Sequence, residues 1–433
     1  MAKTFKMAAA AALSIFTVAT VKADTPNDTA LRIAFDKGVR YSPRIDFPGA
    51  TPDGDPVLGQ AKFGLSADGT QIDPSQGIFS GTSVIAGPVV TNGRTCASCH
   101  RPEAKLGLPA GRMSDSIATD DPLFTGLPAD IGVEPLGVQV FDEHGLLFHR
   151  PGRFNPTYPA NDPFRQVFFW RKSTHVVNTV LTFGFLNDGR TRDLVETTRG
   201  AIFTHTQNGD ARFDDIANPP THDIAAFMET QFDPPELKDL LDPSAPLHDR
   251  LIEDPFYTVH PTTPLERRGQ DVFAQSCMSC HNMPNVFGNE DHVDGPPLNF
   301  APSIGHMMDI GVAQRNALNL EFRRFDPATS SRVPVVLPLA TQDGRTVMHT
   351  VTDDVGLAAS TGRYEDLHRF KVPQLRRISQ LGPYFHDNSA PTLEAVVDYF
   401  DSDAYNRSAD GRRHPIHLST SDKRALVAFL RIL

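Results

Sequence analysis

The chain has four cysteines, and they fall in two identical frames: Cys96-Ala97-Ser98-Cys99-His100 and Cys277-Met278-Ser279-Cys280-His281. Two thiols three apart, followed directly by a histidine, suit covalent haem attachment. Each thiol adds to a porphyrin vinyl group, and the adjacent imidazole reaches the iron. Rival readings are a disulfide, a redox dithiol and half of a zinc site. A zinc site needs a second ligand pair, and a redox dithiol gives no reason for a histidine after both pairs. Two covalently bound haem c groups are the expected cofactors.

Lys3 and Lys6 precede an apolar run from Met7 to about Thr20, and Val21-Lys22-Ala23 ends in a small residue. This predicts a secretory signal over residues 1–23. No later run approaches the length of a membrane-spanning helix. Haem attachment at this motif takes place beyond the bacterial inner membrane, so both features point to the periplasm. Removing three lysines and no acid moves the formal charge from -11 to about -14. Such a surface argues against nucleic acid and suits a basic electron-transfer partner. With 36 prolines, 31 glycines and only 39% hydrophobic residues, the chain is expected to be rich in loops, with cofactors replacing part of the apolar core.

Along the chain, Pro56 to Phe63 reads as a short helix whose Gly59 and Phe63 share a face. Residues 64–94 and 101–165 read as loops. Val176, Val177, Val180 and Leu181 keep helical spacing, Asp188-Gly189-Arg190 gives a turn, and Thr191 to Arg199 reads as a short helix. His222 to Phe232 is amphipathic. Residues 233–262, with repeated Pro and Asp, read as a linker. The second half opens with the capping box Thr263-Pro264-Leu265-Glu266. Its helix repeats the pair as Gly269 and Phe273 and runs into Cys277. Ser419 to Asp422 caps a last helix whose Leu426, Phe429, Leu430 and Leu433 form one face. Each half therefore shows a Gly-x-x-x-Phe helix, a Cys-x-x-Cys-His motif and a closing amphipathic helix. The expected fold is mainly α, with two cytochrome c-like haem domains (residues 24–240 and 241–433) joined to long irregular loops.

The chain resembles the bacterial di-haem cytochrome c peroxidases and MauG-like enzymes. Phe370 to Arg376, Leu381-Gly382-Pro383-Tyr384-Phe385-His386-Asp387 and Thr392 to Val397 carry the resemblance, together with Asn178 to Gly209. It implies a peroxide-reactive N-terminal haem on His100 and an electron-transfer haem on His281. His386 matches a hydrogen-bonding residue near the haems. Where the family carries a distal glutamate, this chain has Gln207, which orients but does not shuttle a proton. His205, two residues earlier, is the candidate base. The inter-haem tryptophan is replaced by Asn187, and the single tryptophan, Trp170, reads as core packing.

The place of the sixth ligand to the second iron falls on Phe400, with Tyr399 beside it. Tyr399 is a candidate ligand, with Met307, Met308, Met348 or a histidine as alternatives. No histidine occurs between His100 and His144, which implies an open first iron, and Met113 nearby reads as packing. The place of a calcium-binding asparagine falls on Lys172, whose ammonium disfavours calcium.

The expected activity is peroxidase-like. Hydrogen peroxide or a related oxidant would react at the first haem, and a small redox protein or protein substrate would serve as electron donor. Alternatives are an electron-transfer or redox-sensing cytochrome and a di-haem oxygenase, since fold alone does not choose among them. Related peroxidases are often dimers, so the resemblance leaves a homodimer open, while the sequence itself does not give the oligomeric state.

Overall fold

The computed structural model describes residues 26–37, 53–71, 92–131, 134–149, 168–182, 184–191, 193–205, 218–288 and 307–433. The segment 1–23 and Gln207 lie outside these residues. Of the described residues, 43% are helical and 12% lie in strands, so the fold is mainly α as expected.

Two helix pairs frame the molecule. Pro56–Phe63 crosses Asn218–Met228, and Pro264–Ser276 crosses Thr420–Leu430. Local chemistry starts each first helix. The Asp55 carboxylate accepts from the amides of Val57 and Leu58, and Thr263 and Glu266 close the predicted capping box. The glycines permit the crossings, because a Cβ at Gly59 would overlap the Asp223 carbonyl and one at Gly269 the Ala425 carbonyl. Below each crossing the phenylalanine packs inward, Phe63 at 5.1 Å from Phe227 and Phe273 at 5.4 Å from Phe429.

A second repeat lies between the helices of each pair. Asn178 and Arg377 both open a 3-10 turn from a left-handed backbone, with φ 58° in each. Leu186 and Phe385 are again left-handed, at φ 70° and 68°. Each then closes a short loop by an antiparallel bridge, Phe185 to Thr191 and Tyr384 to Ala390. The helices that follow are Leu194–His205 and Leu393–Phe400.

Strands are short and pair only as antiparallel doublets. Leu146–His149 pairs with Phe169–Lys172, Met307–Met308 with Phe370–Lys371, Arg324–Asp326 with Ser331–Val333, and Val336–Ala340 with Thr346–Thr350. The first and last doublets meet in one apolar core that holds Phe141, Trp170, Leu337 and Leu339. Trp170 is buried there and donates its indole N–H to the Glu321 carbonyl (3.1 Å), as its packing role requires.

Two expectations change. Residues 101–149 are not simply loop, since short helices such as Met113–Ser116 and Gly137–His144 bury Met113 and Phe141. Nor is 233–262 a free linker. Leu237, Leu240, Leu251 and Ile252 pack with Val180 and Leu181 from the first half and Met283 and Val286 from the second. Frequent Pro and Asp hid the leucines that make this stretch a bracket.

Candidate functional site

Each haem motif is a single turn that ends by fixing its histidine. Cys96–Cys99 is helical, and the Thr95 amide donates to Ser98 Oγ at 3.0 Å. The His100 ring donates its Nδ1–H to the Leu106 carbonyl at 3.0 Å, and His281 does the same to the Phe287 carbonyl at 2.8 Å. The accepting residues are left-handed, at φ 57° and 49°. The Arg101 amide donates to Gly107 O (2.8 Å) and the Asn282 amide to Gly288 O (3.1 Å), so both loops close alike. With Nδ1 committed, Nε2 of each ring is left as the ligand atom. Burial lowers both imidazoles to about 4, which keeps them neutral.

No disulfide joins the four cysteines, and burial pushes the thiols of Cys96 and Cys277 up to about 12 and those of Cys99 and Cys280 up to about 11. All four, with both histidines, line one continuous cavity of about 400 Å³. Paired thiols, an imidazole with Nδ1 pinned and a largely apolar wall are the donor set and surroundings that haem c requires.

Two lysines enter this cavity at equivalent places in the repeat. Lys172 Nζ donates to the carbonyls of Leu381 (3.0 Å) and Pro383 (2.6 Å), while Lys371 Nζ donates to Thr182 Oγ1 (2.9 Å). Burial holds both ammonium groups down to about 8. Neither makes an ion pair among the described residues. Lys172 therefore sits on main-chain oxygens of the opposite half, the ligand type a hard cation would use.

The sequence candidates separate in space. His205, at the end of its helix, lines the cavity and donates Nδ1–H to Asp130 (2.6 Å), which also holds Arg94 (2.5 Å). Burial opposes charge on Asp130, but His205 and Arg94 prevail and lower its pKa. His386 lines the cavity and stacks on Phe370 with centroids 3.9 Å apart. Tyr399 lies outside the lining and donates its hydroxyl to the Ile310 carbonyl at 2.6 Å, whereas Phe400 is on the cavity wall. Of the alternative ligands, Met308, His368 and His386 line the cavity, while Met348 is 63% exposed.

Three residues with a part in the site were missed. Lys371 would have shown in an alignment of the two halves. Asp130 gives no local signal. His175 donates to Lys105 O (3.1 Å), and its ring fills the space beside Gly107.

No family model matches the chain. It is 25% identical over 374 residues to the cytochrome-c peroxidase IdrP2 of Denitromonas iodatirespirans, covering 82% of this chain and 89% of that protein. It is 39% identical over 67 residues to the methylamine utilization protein MauG of Methylorubrum extorquens, covering 15% of this chain and 19% of that one.

The chain is similar to the cytochrome-c peroxidases and to MauG.

Among solved structures, the chain aligns with the diheme peroxidase BthA of Burkholderia thailandensis at TM-score 0.40 and 16% identity, over 91% of this chain and 89% of that one. Among the described residues, no helix is long and apolar enough to cross a membrane.

Proposed function

We propose that this chain is a periplasmic di-haem c-type oxidoreductase that reacts with hydrogen peroxide or a related oxidant. The observation that carries the reading is the shared cavity, onto which both Cys-x-x-Cys-His motifs open with Nδ1 of each histidine committed. Cys96, Cys99 and His100 would hold one haem in the N-terminal domain (24–240), and Cys277, Cys280 and His281 the other in the C-terminal domain (241–433). Bound haem would supply the one-electron redox change at iron that these side chains do not.

The chain's own residues then have separate tasks. His205, oriented by Asp130, is the group placed to take and return a proton on the first side of the cavity. Lys172 and Lys371 line the same cavity and would place two buried ammonium groups beside the bound haems. Lys172 also serves where calcium would, on the carbonyls of Leu381 and Pro383, so calcium is not a cofactor in this reading. Phe400, Met308 and His386 border the second site, and Tyr399 is committed elsewhere. A small redox protein or protein substrate supplies the electrons.

Rapid mixing of the ferric holoprotein with hydrogen peroxide tests the reading. A change in the haem absorption spectrum without prior reduction is expected. An unchanged spectrum would overturn the peroxidase reading and leave an electron-transfer or redox-sensing cytochrome.

A further inference from the structure

Three side chains outside the haem motifs converge, of which only His368 was weighed above, as an alternative iron ligand. His349 comes from the strand Thr346–Thr350, Asp353 from the turn after it, and His368 from the turn before Phe370–Lys371. One ligand atom from each lies within 4.8 Å of the others. His368 Nε2 is 2.9 Å from Asp353 Oδ1, and the two imidazole rings stand 6.3 Å apart at 69°. His349 Nε2 is buried and has no hydrogen-bond partner.

The backbone fixes these positions. His349 is the register partner of Leu337, a fully buried residue of the neighbouring core. The His368 amide donates to Val355 O at 3.0 Å, and the next turn is tied by Leu357 N to Arg369 O at 3.0 Å. The convergence therefore does not depend on a free loop.

The three groups do not satisfy one another. Asp353 Oδ1 meets the His368 ring, while Nε2 of His349 is buried beside them with no hydrogen-bond partner among the described residues. A metal ion held by all three would engage that nitrogen.

We propose that His349, Asp353 and His368 form a mononuclear site for a divalent first-row transition metal from the zinc and copper end of the series. Two imidazoles and one carboxylate are borderline donors, unlike the oxygen shells that select calcium or magnesium. Three protein ligands leave a coordination position open, as in zinc sites that bind water or substrate. His368 also lines the cavity between the two motifs, beside Met308 and Phe370, so the metal stands on the wall of that cavity. The site is independent of the peroxide reading and would hold in an electron-transfer cytochrome as well.

Calorimetric titration of chelator-treated holoprotein with Zn²⁺, with metal analysis after gel filtration, tests the proposal. One saturable equivalent is expected in the wild type. His349→Ala and Asp353→Asn should each weaken Zn²⁺ binding by more than about tenfold, with haem absorption and melting temperature retained. Should His349→Ala lose its haem absorption, the volume-keeping His349→Gln is read instead. Absence of saturable binding in the wild type, or binding unchanged in these variants, overturns the assignment.

Discussion

Lys371 repeats Lys172, and each ties its half of the chain to the other. The Lys172 amide donates to His386 O at 2.8 Å and the Lys371 amide to Asn187 O at 2.9 Å, while their ammonium groups cross into the opposite half. Asn187 and His386 are themselves equivalent in the repeat, so the interface has a local two-fold relation inside one chain. The cavity lies across this relation, which makes the lysines the fixed charges common to both ends.

That placement predicts an effect on redox poise. Lys172→Met and Lys371→Met each remove a buried cation, and a reduced haem, being less positive, loses more from that removal than an oxidised one. Both variants should show lower haem midpoint potentials in a potentiometric titration. Unchanged potentials in both would mean that the ammonium groups do not face the redox centres.

The helix crossings predict where small residues are obligatory. Replacing Gly269 by Val would drive a side chain into the Ala425 carbonyl and the side chain of Phe429. Over-packing of this kind costs about 1–3 kcal/mol, and more where backbone is struck. Thermal unfolding of Gly269→Val should show a loss at the upper end of that range, and Gly59→Val should match it because Asp223 stands in the same relation. Equal melting temperatures would mean that the helices separate without penalty.

How much of this was legible in the sequence follows from the range of each interaction. Gly59 with Phe63 and Gly269 with Phe273 could be read because a single helical turn sets their spacing. The two Cys-x-x-Cys-His frames could be read because each is a single local motif, and the matching turns at His100 and His281 follow it. Tyr399 and Phe400 could not be separated, since adjacent helical positions differ by about 100° and only packing against Phe385 and Ile310 selects the face. Asp130 and His205 meet from segments far apart in sequence, and His349, Asp353 and His368 come from three elements. Nothing local announces such contacts.

Tyr399→Phe gives a direct reading of that choice of face. Its hydroxyl is bound to Ile310 O, so the variant should keep the resting absorption and paramagnetic resonance spectra while losing about 1 kcal/mol of stability from the hydrogen bond. A changed ligand signature would place the phenol on the iron instead.

The buried network around Arg171 sets an acid limit. Arg171 pairs with Asp188 at 2.7 Å and with Asp354 at 2.6 Å. Burial opposes ionisation of Asp188, but Arg190 and Arg171 prevail and hold its carboxyl below the usual value of 3.8. A depressed carboxylate pKa contributes stability that is complete above the unfolded value and is lost as pH falls through the folded one. The wild type should therefore lose stability below about pH 4. Arg171→Met should lose about 3–5 kcal/mol even at neutral pH, because both carboxylates stay buried without it. Melting curves at neutral and acid pH distinguish the two, and a variant as stable as wild type at neutral pH would count against the network.

In the proposed reaction the proton would be handled by His205 and Asp130. Asp130 is fully buried, accepts from His205 Nδ1 at 2.6 Å, and is itself held by Arg94 at 2.5 Å. A carboxylate fixed in this way presents one tautomer of the imidazole to the cavity, as positioned bases require. His205→Ala should slow the reaction with peroxide by about 10²–10⁴-fold, the usual contribution of a positioned acid–base group. Asp130→Asn keeps the shape but loses the charge that selects the tautomer, so it should slow the same step less and change its pH profile. If His205→Ala reacts as fast as wild type with both haems in place, the proton is handled elsewhere in the cavity, and the Asp130 pair is a structural tie between the Leu127–Ile131 and Leu194–His205 helices.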